Sequence, residues 1–108
     1  MMNTAWIYLL TAGLFELGFT TCLKLSNNFT RVVYVIGFFI CGFISFYSLN
    51  KSLSVIPLGT AYAVWTGIGA FGTAIIGIVY FGEPASLPRL LLLAGLIGCV
   101  AGLKLLPH

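Results

Sequence analysis

The chain has 108 residues, 60% of them hydrophobic, and its formal charges are confined to Lys24, Arg31, Lys51, Arg89 and Lys104 against Glu16 and Glu83. A soluble domain carries roughly a quarter charged residues, so most of this surface must face lipid. That excludes a soluble enzyme, and five dispersed basic residues at a net charge of +3 form no phosphate-tracking stripe for a nucleic acid.

A hydrocarbon core about 30 Å thick is crossed by about 20 helical residues, and the apolar runs divide the chain into four such lengths: 4–25, 32–49, 56–81 and 87–106. The runs are continuously apolar rather than alternating, which argues against a closed β-barrel. The expectation is an all-α membrane protein, a single four-helix transmembrane domain over residues 1–108 with no room for an extramembrane domain. The first run is read as a retained span, since no positive n-region precedes it and no small-residue cleavage site follows a short h-region.

The first span carries Glu16 near its middle. A carboxylate at the bilayer centre costs about 3 kcal/mol on insertion scales, so Glu16 is expected to face protein or a water-filled cavity. There it can exchange a proton for a cation, or, in the structural alternative, stay protonated and bond helices together. Gly13, Glu16 and Thr20 share one face at helical spacing, with Phe19 at its margin. Lys24 lies near the membrane edge, where snorkelling into headgroups is the default. Residues 26–31 then supply Ser, Asn and Thr punctuation before Arg31.

On the second span Tyr34, Phe38, Cys41, Ser45 and Ser48 form a stripe, with Ser45 its most central hydroxyl. The third offers Gly59, Tyr62, Trp65, Thr66 and Gly69. Aromatic faces attract positive charge and hydroxyls can hold a carboxylate, so these types suit an organic cation; membrane-belt or packing roles are the alternative for Tyr62 and Trp65. Gly67, Gly69, Gly72 and Gly77 serve either close packing or a kink near 67–69 that lets two conformations interconvert. Glu83 falls in the next connection as a solvated loop charge. On the fourth span Ala94, Gly98 and Gly102 recur every four residues as a seam for a second helix.

Cys22, Cys41 and Cys99 each sit in apolar sequence without a C-x-x-C, so they read as small hydrophobes, and no metal site or cofactor is expected. Short connections make neighbouring spans antiparallel, and the basic residues then divide almost evenly. Lys51 and Lys104 share one membrane face with the N-terminus; Lys24, Arg31 and Arg89 share the other. Basic residues normally fix orientation. Here they do not, so insertion in both orientations and pairing of two opposed copies are expected, the alternative being a fixed topology set by another signal.

Residues 56–70, IPLGTAYAVWTGIGA, together with residues 16–24 and the closing Gly102-Leu103-Lys104, resemble the small multidrug resistance transporters, and within them the guanidinium exporter branch. The resemblance spans the whole chain. It implies proton-coupled antiport of a small organic cation by an antiparallel dual-topology dimer, or a pair with a paralogous subunit, in a bacterial inner membrane. It implies that protons and substrate share the two Glu16 carboxylates and that Ser45 and Trp65 hydrogen-bond them. Tyr62 would line and gate the pocket, Gly67 to Gly69 would hinge the third helix, and the last helix would form the dimer contact. Phe19 stands where guanidinium exporters usually have Trp, and Thr20-Thr21 looks like the quaternary-ammonium exporters, which makes bulkier hydrophobic cations the second substrate class. Rival readings are a structural or regulatory subunit docked through the glycine stripe and a passive proton or cation channel.

Overall fold

A computed structural model describes residues 2–106 as four helices: α1 (Met2–Leu25), α2 (Val32–Ser52), α3 (Leu58–Tyr80) and α4 (Leu87–Leu105). Each is long and apolar enough to cross a membrane. In hydrocarbon no water can satisfy a free amide, so apolar runs of this length close their backbone bonds internally as helices.

Several ends differ from the expected ones by one to three residues, and two of them have clear local reasons. α2 continues to Ser52 rather than stopping at residue 49, because its polar last turn stays helical. Ser52 Oγ donates to the Leu49 carbonyl at 2.6 Å, and Lys51 leans its ammonium over the Tyr47 ring, 5.5 Å from the centroid. α3 starts at Leu58 rather than 56, because Pro57, which has no N–H to donate, stands at its N-cap with extended backbone.

The helices pack in the spatial order α2, α1, α3, α4, and α4 lies against α3 alone by backbone contact. The result is nearly a single layer, with principal extents of 43 × 35 × 17 Å. Small residues set the close approaches. Gly18 of α1 faces Cys41 of α2 and Gly37 of α2 faces Cys22 of α1, the crossed pattern of antiparallel neighbours. Gly13 meets Ile68 and Gly72 meets Leu17, the in-step pattern of parallel α1 and α3. Gly67 takes Val100 of α4 where a Cβ would stand.

Burial is concentrated toward one membrane face. Trp6, Leu9 and Ala12 of α1 pack with Ala61, Val64 and Trp65 of α3 and Val100 of α4. Beyond Glu16 the α1 side chains are half-buried or exposed as far as Leu25. Ring contacts tie the helix ends as antiparallel spans require, with Lys104 over Trp6 at one face and Lys24 over Phe81 at the other.

The connections are structured. In the α1–α2 turn Asn27, Asn28 and Phe29 all adopt positive φ. They are held by Ser26, whose Oγ donates to the Leu23 carbonyl and accepts from the Phe29 amide. Between α3 and α4, Gly82 sits at φ +68° while the amides of Phe81 and Glu83 both donate to the Gly77 carbonyl at 3.1 Å, a glycine stop of the helix. Glu83, expected as a solvated loop charge, is exposed in this connection and pairs there with Arg89 at 2.6 Å, which also donates to the Pro84 carbonyl. Left-handed backbone costs residues with a Cβ about 1–2 kcal/mol, so Gly82→Ala is expected to destabilise the purified protein by that amount in thermal unfolding, with Gly82→Asn closer to the parent.

Candidate functional site

Glu16 projects from the middle of α1 onto α3, where Gly69 leaves the space for it. A Cβ at Gly69 would overlap the Glu16 carboxyl group, so close approach of an acid to bare backbone is what requires glycine at this position. The carboxyl is half-buried. Its Oε1 atom is shut from solvent and has no hydrogen-bond partner among the described residues.

One helical turn earlier, a buried relay joins three helices. Trp65 Nε1–H donates to Ser45 Oγ at 2.9 Å, and Ser45 donates onward to the Ala12 carbonyl at 2.7 Å. The Ala12 carbonyl is also the i−4 acceptor for the Glu16 amide. The relay therefore fixes the turn of α1 from which Glu16 projects. Ser45 and Trp65, expected to bond the carboxylate itself, are bonded within this chain to each other and to backbone.

On the opposite side of Glu16, Thr20 Oγ1 lies 3.0 Å from the Glu16 carbonyl and 2.9 Å from Thr73 Oγ1. With Thr20 donating to the carbonyl, its hydroxyl accepts from Thr73, which ties α1 to α3 one turn beyond the acid. Thr73 was not singled out from the sequence, because nothing in α3 alone marks it. Its partner lies 53 residues away.

The aromatic residues join into one run. Phe19 stacks on Phe46 at 6.2 Å and meets Phe38 edge-on at 5.8 Å. Phe46 reaches Trp65 at 5.2 Å, and Trp65 reaches Tyr62 at 5.8 Å. Tyr62 is 54% exposed and open to a solute or a partner. An open apolar groove of about 540 Å³ adjoins the run, lined by Phe19, Phe38, Phe39, Gly42, Phe43 and Phe46. A run of rings is chemically suited to a cation with an apolar body.

The expected small residues divide between packing positions and an exposed stripe. Gly13 is buried against Ile68, so it sets the α1–α3 distance rather than lining an opening. Gly67 and Gly69, expected either to pack closely or to kink the helix, lie inside a continuous α3, Gly67 against Val100 and Gly69 against the Glu16 carboxyl. Ala94, Gly98 and Gly102 are exposed along α4, with open space where a Cβ at either glycine would stand. That leaves a smooth stripe facing away from the bundle.

Comparison with known proteins adds an independent finding. The sequence model described as Small Multidrug Resistance protein matches residues 4–97. A guanidinium exporter of Yersinia pestis is 48% identical over 101 residues, which are 94% of this chain and 97% of that protein. A guanidinium exporter of Proteus vulgaris is 46% identical over the same shares. One of Salmonella typhimurium is 45% identical over 104 residues, 96% of this chain and 99% of that protein.

Ser45→Ala removes the acceptor of a buried indole N–H, and a buried donor left unpaired costs about 1–3 kcal/mol. That loss is expected in thermal unfolding of the purified protein, together with a shift of Trp fluorescence. Trp65→Phe, which removes the donor as well, is expected to restore part of the stability of the Ser45→Ala protein.

Proposed function

The chain belongs to the Small Multidrug Resistance family of membrane transporters, and from that premise we propose that it is a proton-coupled antiporter exporting guanidinium or small substituted guanidines. The observation that carries the reading is the Glu16 carboxyl, set halfway through an apolar helix with one oxygen unpartnered and its seat on α3 kept open by Gly69. An acid placed so can hold a proton or a cation but has no reason to hold both. Competition for one carboxyl then couples the two fluxes: the cation binds when the acid has lost its proton, and protons loading from the other side displace it. The relatives named guanidinium exporter favour a planar cation. The run from Phe38 to Tyr62 favours one that also offers an apolar face, so quaternary ammonium and bulkier hydrophobic cations stand second.

The functional unit is proposed to be an antiparallel pair of this chain, or of this chain and a paralogous subunit, in a bacterial inner membrane. Three features support it: a layer too thin to enclose a pathway, an exposed small-residue stripe on α4, and basic residues divided between the two faces. In the pair the two Glu16 carboxyls share protons and substrate. Tyr62 gates the pocket, and flexing at Gly67 and Gly69 exchanges access between the faces.

Glu16→Gln is expected to insert and assemble but to lose substrate-driven proton movement in liposomes; proton-for-cation exchange at the parent rate would sink the mechanism. A panel from guanidinium to tetraalkylammonium, scored by protons released from the purified protein, is expected to rank guanidinium first. A C-terminal tag probed from each side of the membrane is expected to be reached from both, and one-sided accessibility ends the dual-topology reading.

A further inference from the structure

At the membrane face that carries Lys24, Arg31 and Arg89, an open groove of about 390 Å³ runs between the last turns of α1 and α3, lined by Thr21, Leu25, Ile76, Tyr80 and Phe81. It lies away from the acid. Thr21 and Leu25 stand about 140° and about 180° around α1 from Glu16, where they continue the stripe of Ile7 and Leu14. Both of those side chains are exposed, so this side of α1 is the one turned to lipid. Two cations are held at the groove. Lys24 Nζ stands over the Phe81 ring, 5.3 Å from the centroid, and Arg31 Nη1 donates to the Leu25 carbonyl at 3.5 Å, so each is tied to a residue of the lining. Neither has an acidic partner among the described residues, whereas Arg89, the third cation of this face, is taken by Glu83. Tyr80, in the same lining, is exposed, and tyrosines gather at the level of lipid headgroups.

We propose that this groove holds one anionic phospholipid per chain, with a segment of acyl chain against Leu25, Ile76 and Phe81 and the phosphate taken by Lys24 and Arg31. Two properties choose the occupant together. The lining is mainly apolar, which suits hydrocarbon and gives a free anion nothing to bind. The positive charge beside it is uncompensated and sits at the end of a span, where lysine and arginine meet headgroups. A zwitterionic headgroup would bring a further cation to two that already lack an anion, so net negative charge is favoured. A transported cation would be repelled from the same place.

Phosphatidylglycerol is the probe, titrated into the purified protein in detergent beside phosphatidylcholine of the same acyl chains, with bound lipid counted by native mass spectrometry. The expected result is one phosphatidylglycerol per chain, retained under conditions that strip phosphatidylcholine. A basic residue near the membrane surface is worth about fivefold in affinity for anionic lipid, so Lys24→Gln and Arg31→Gln should each weaken retention by about that factor. Lys104→Gln, which removes the ammonium over Trp6 at the opposite face, should leave it unchanged. In bilayers, Tyr80→Trp adds fluorescence that phosphatidylglycerol with brominated chains should quench more than brominated phosphatidylcholine does. Equal retention of the two lipids, an equal loss in Lys104→Gln, or parent affinity in the Lys24→Gln, Arg31→Gln double variant overturns the proposal. So does a Tyr80→Trp signal that neither brominated lipid quenches, the outcome expected if a second copy covers the groove. The comparison of the two lipids on the parent protein decides the matter even if a variant fails to fold. The readout is bound lipid, so it is independent of whether guanidinium is the transported cation.

Discussion

A carboxyl oxygen closed off from solvent without a hydrogen-bond partner costs a folded chain about 1–3 kcal/mol, and Glu16 Oε1 is in that condition. The neighbouring architecture holds it there. Gly69 gives up its side chain to admit the carboxyl, the Trp65–Ser45–Ala12 relay anchors the turn beneath it, and the Thr20–Thr73 pair anchors the turn above. α1 is thereby fixed to both flanking helices at the level of its one acid. A residue kept at such expense invites a functional explanation, and membrane-embedded acids usually mark ion or substrate paths.

The same acid marks where the dry core ends. On one side of it large apolar side chains and Trp65 are buried together; on the other, α1 is half-buried or exposed as far as Leu25.

Much of this was legible in the sequence, and the remainder was hidden for a definite reason. The four spans follow from hydropathy and length, and Glu16 announces itself as the acid within a span. Ser45, Trp65 and Tyr62 stand out because their types are unusual at that depth. The pairings are another matter: that Ser45 meets the Ala12 carbonyl, that Thr73 meets Thr20, or that Glu83 meets Arg89 depends on the register between helices, which the periodicity of one helix does not encode. The glycines show the same limit. Their density in α3 reads as either a bend or tight packing, and only knowledge of what lies opposite each one assigns Gly67 to Val100 and Gly69 to Glu16. The end of α2 is hidden in the sequence because the polar residues of its last turn look like loop when composition alone is considered.

The turn around Ser26 bears on how such a chain is made. Its bonds join residues within 22–31, so the α1–α2 hairpin can close while the rest of the polypeptide is still being synthesised. A closed hairpin has its amides satisfied and can leave the insertion machinery as a unit. Because short connections make successive spans antiparallel, the direction of this first hairpin sets the sidedness of every later span.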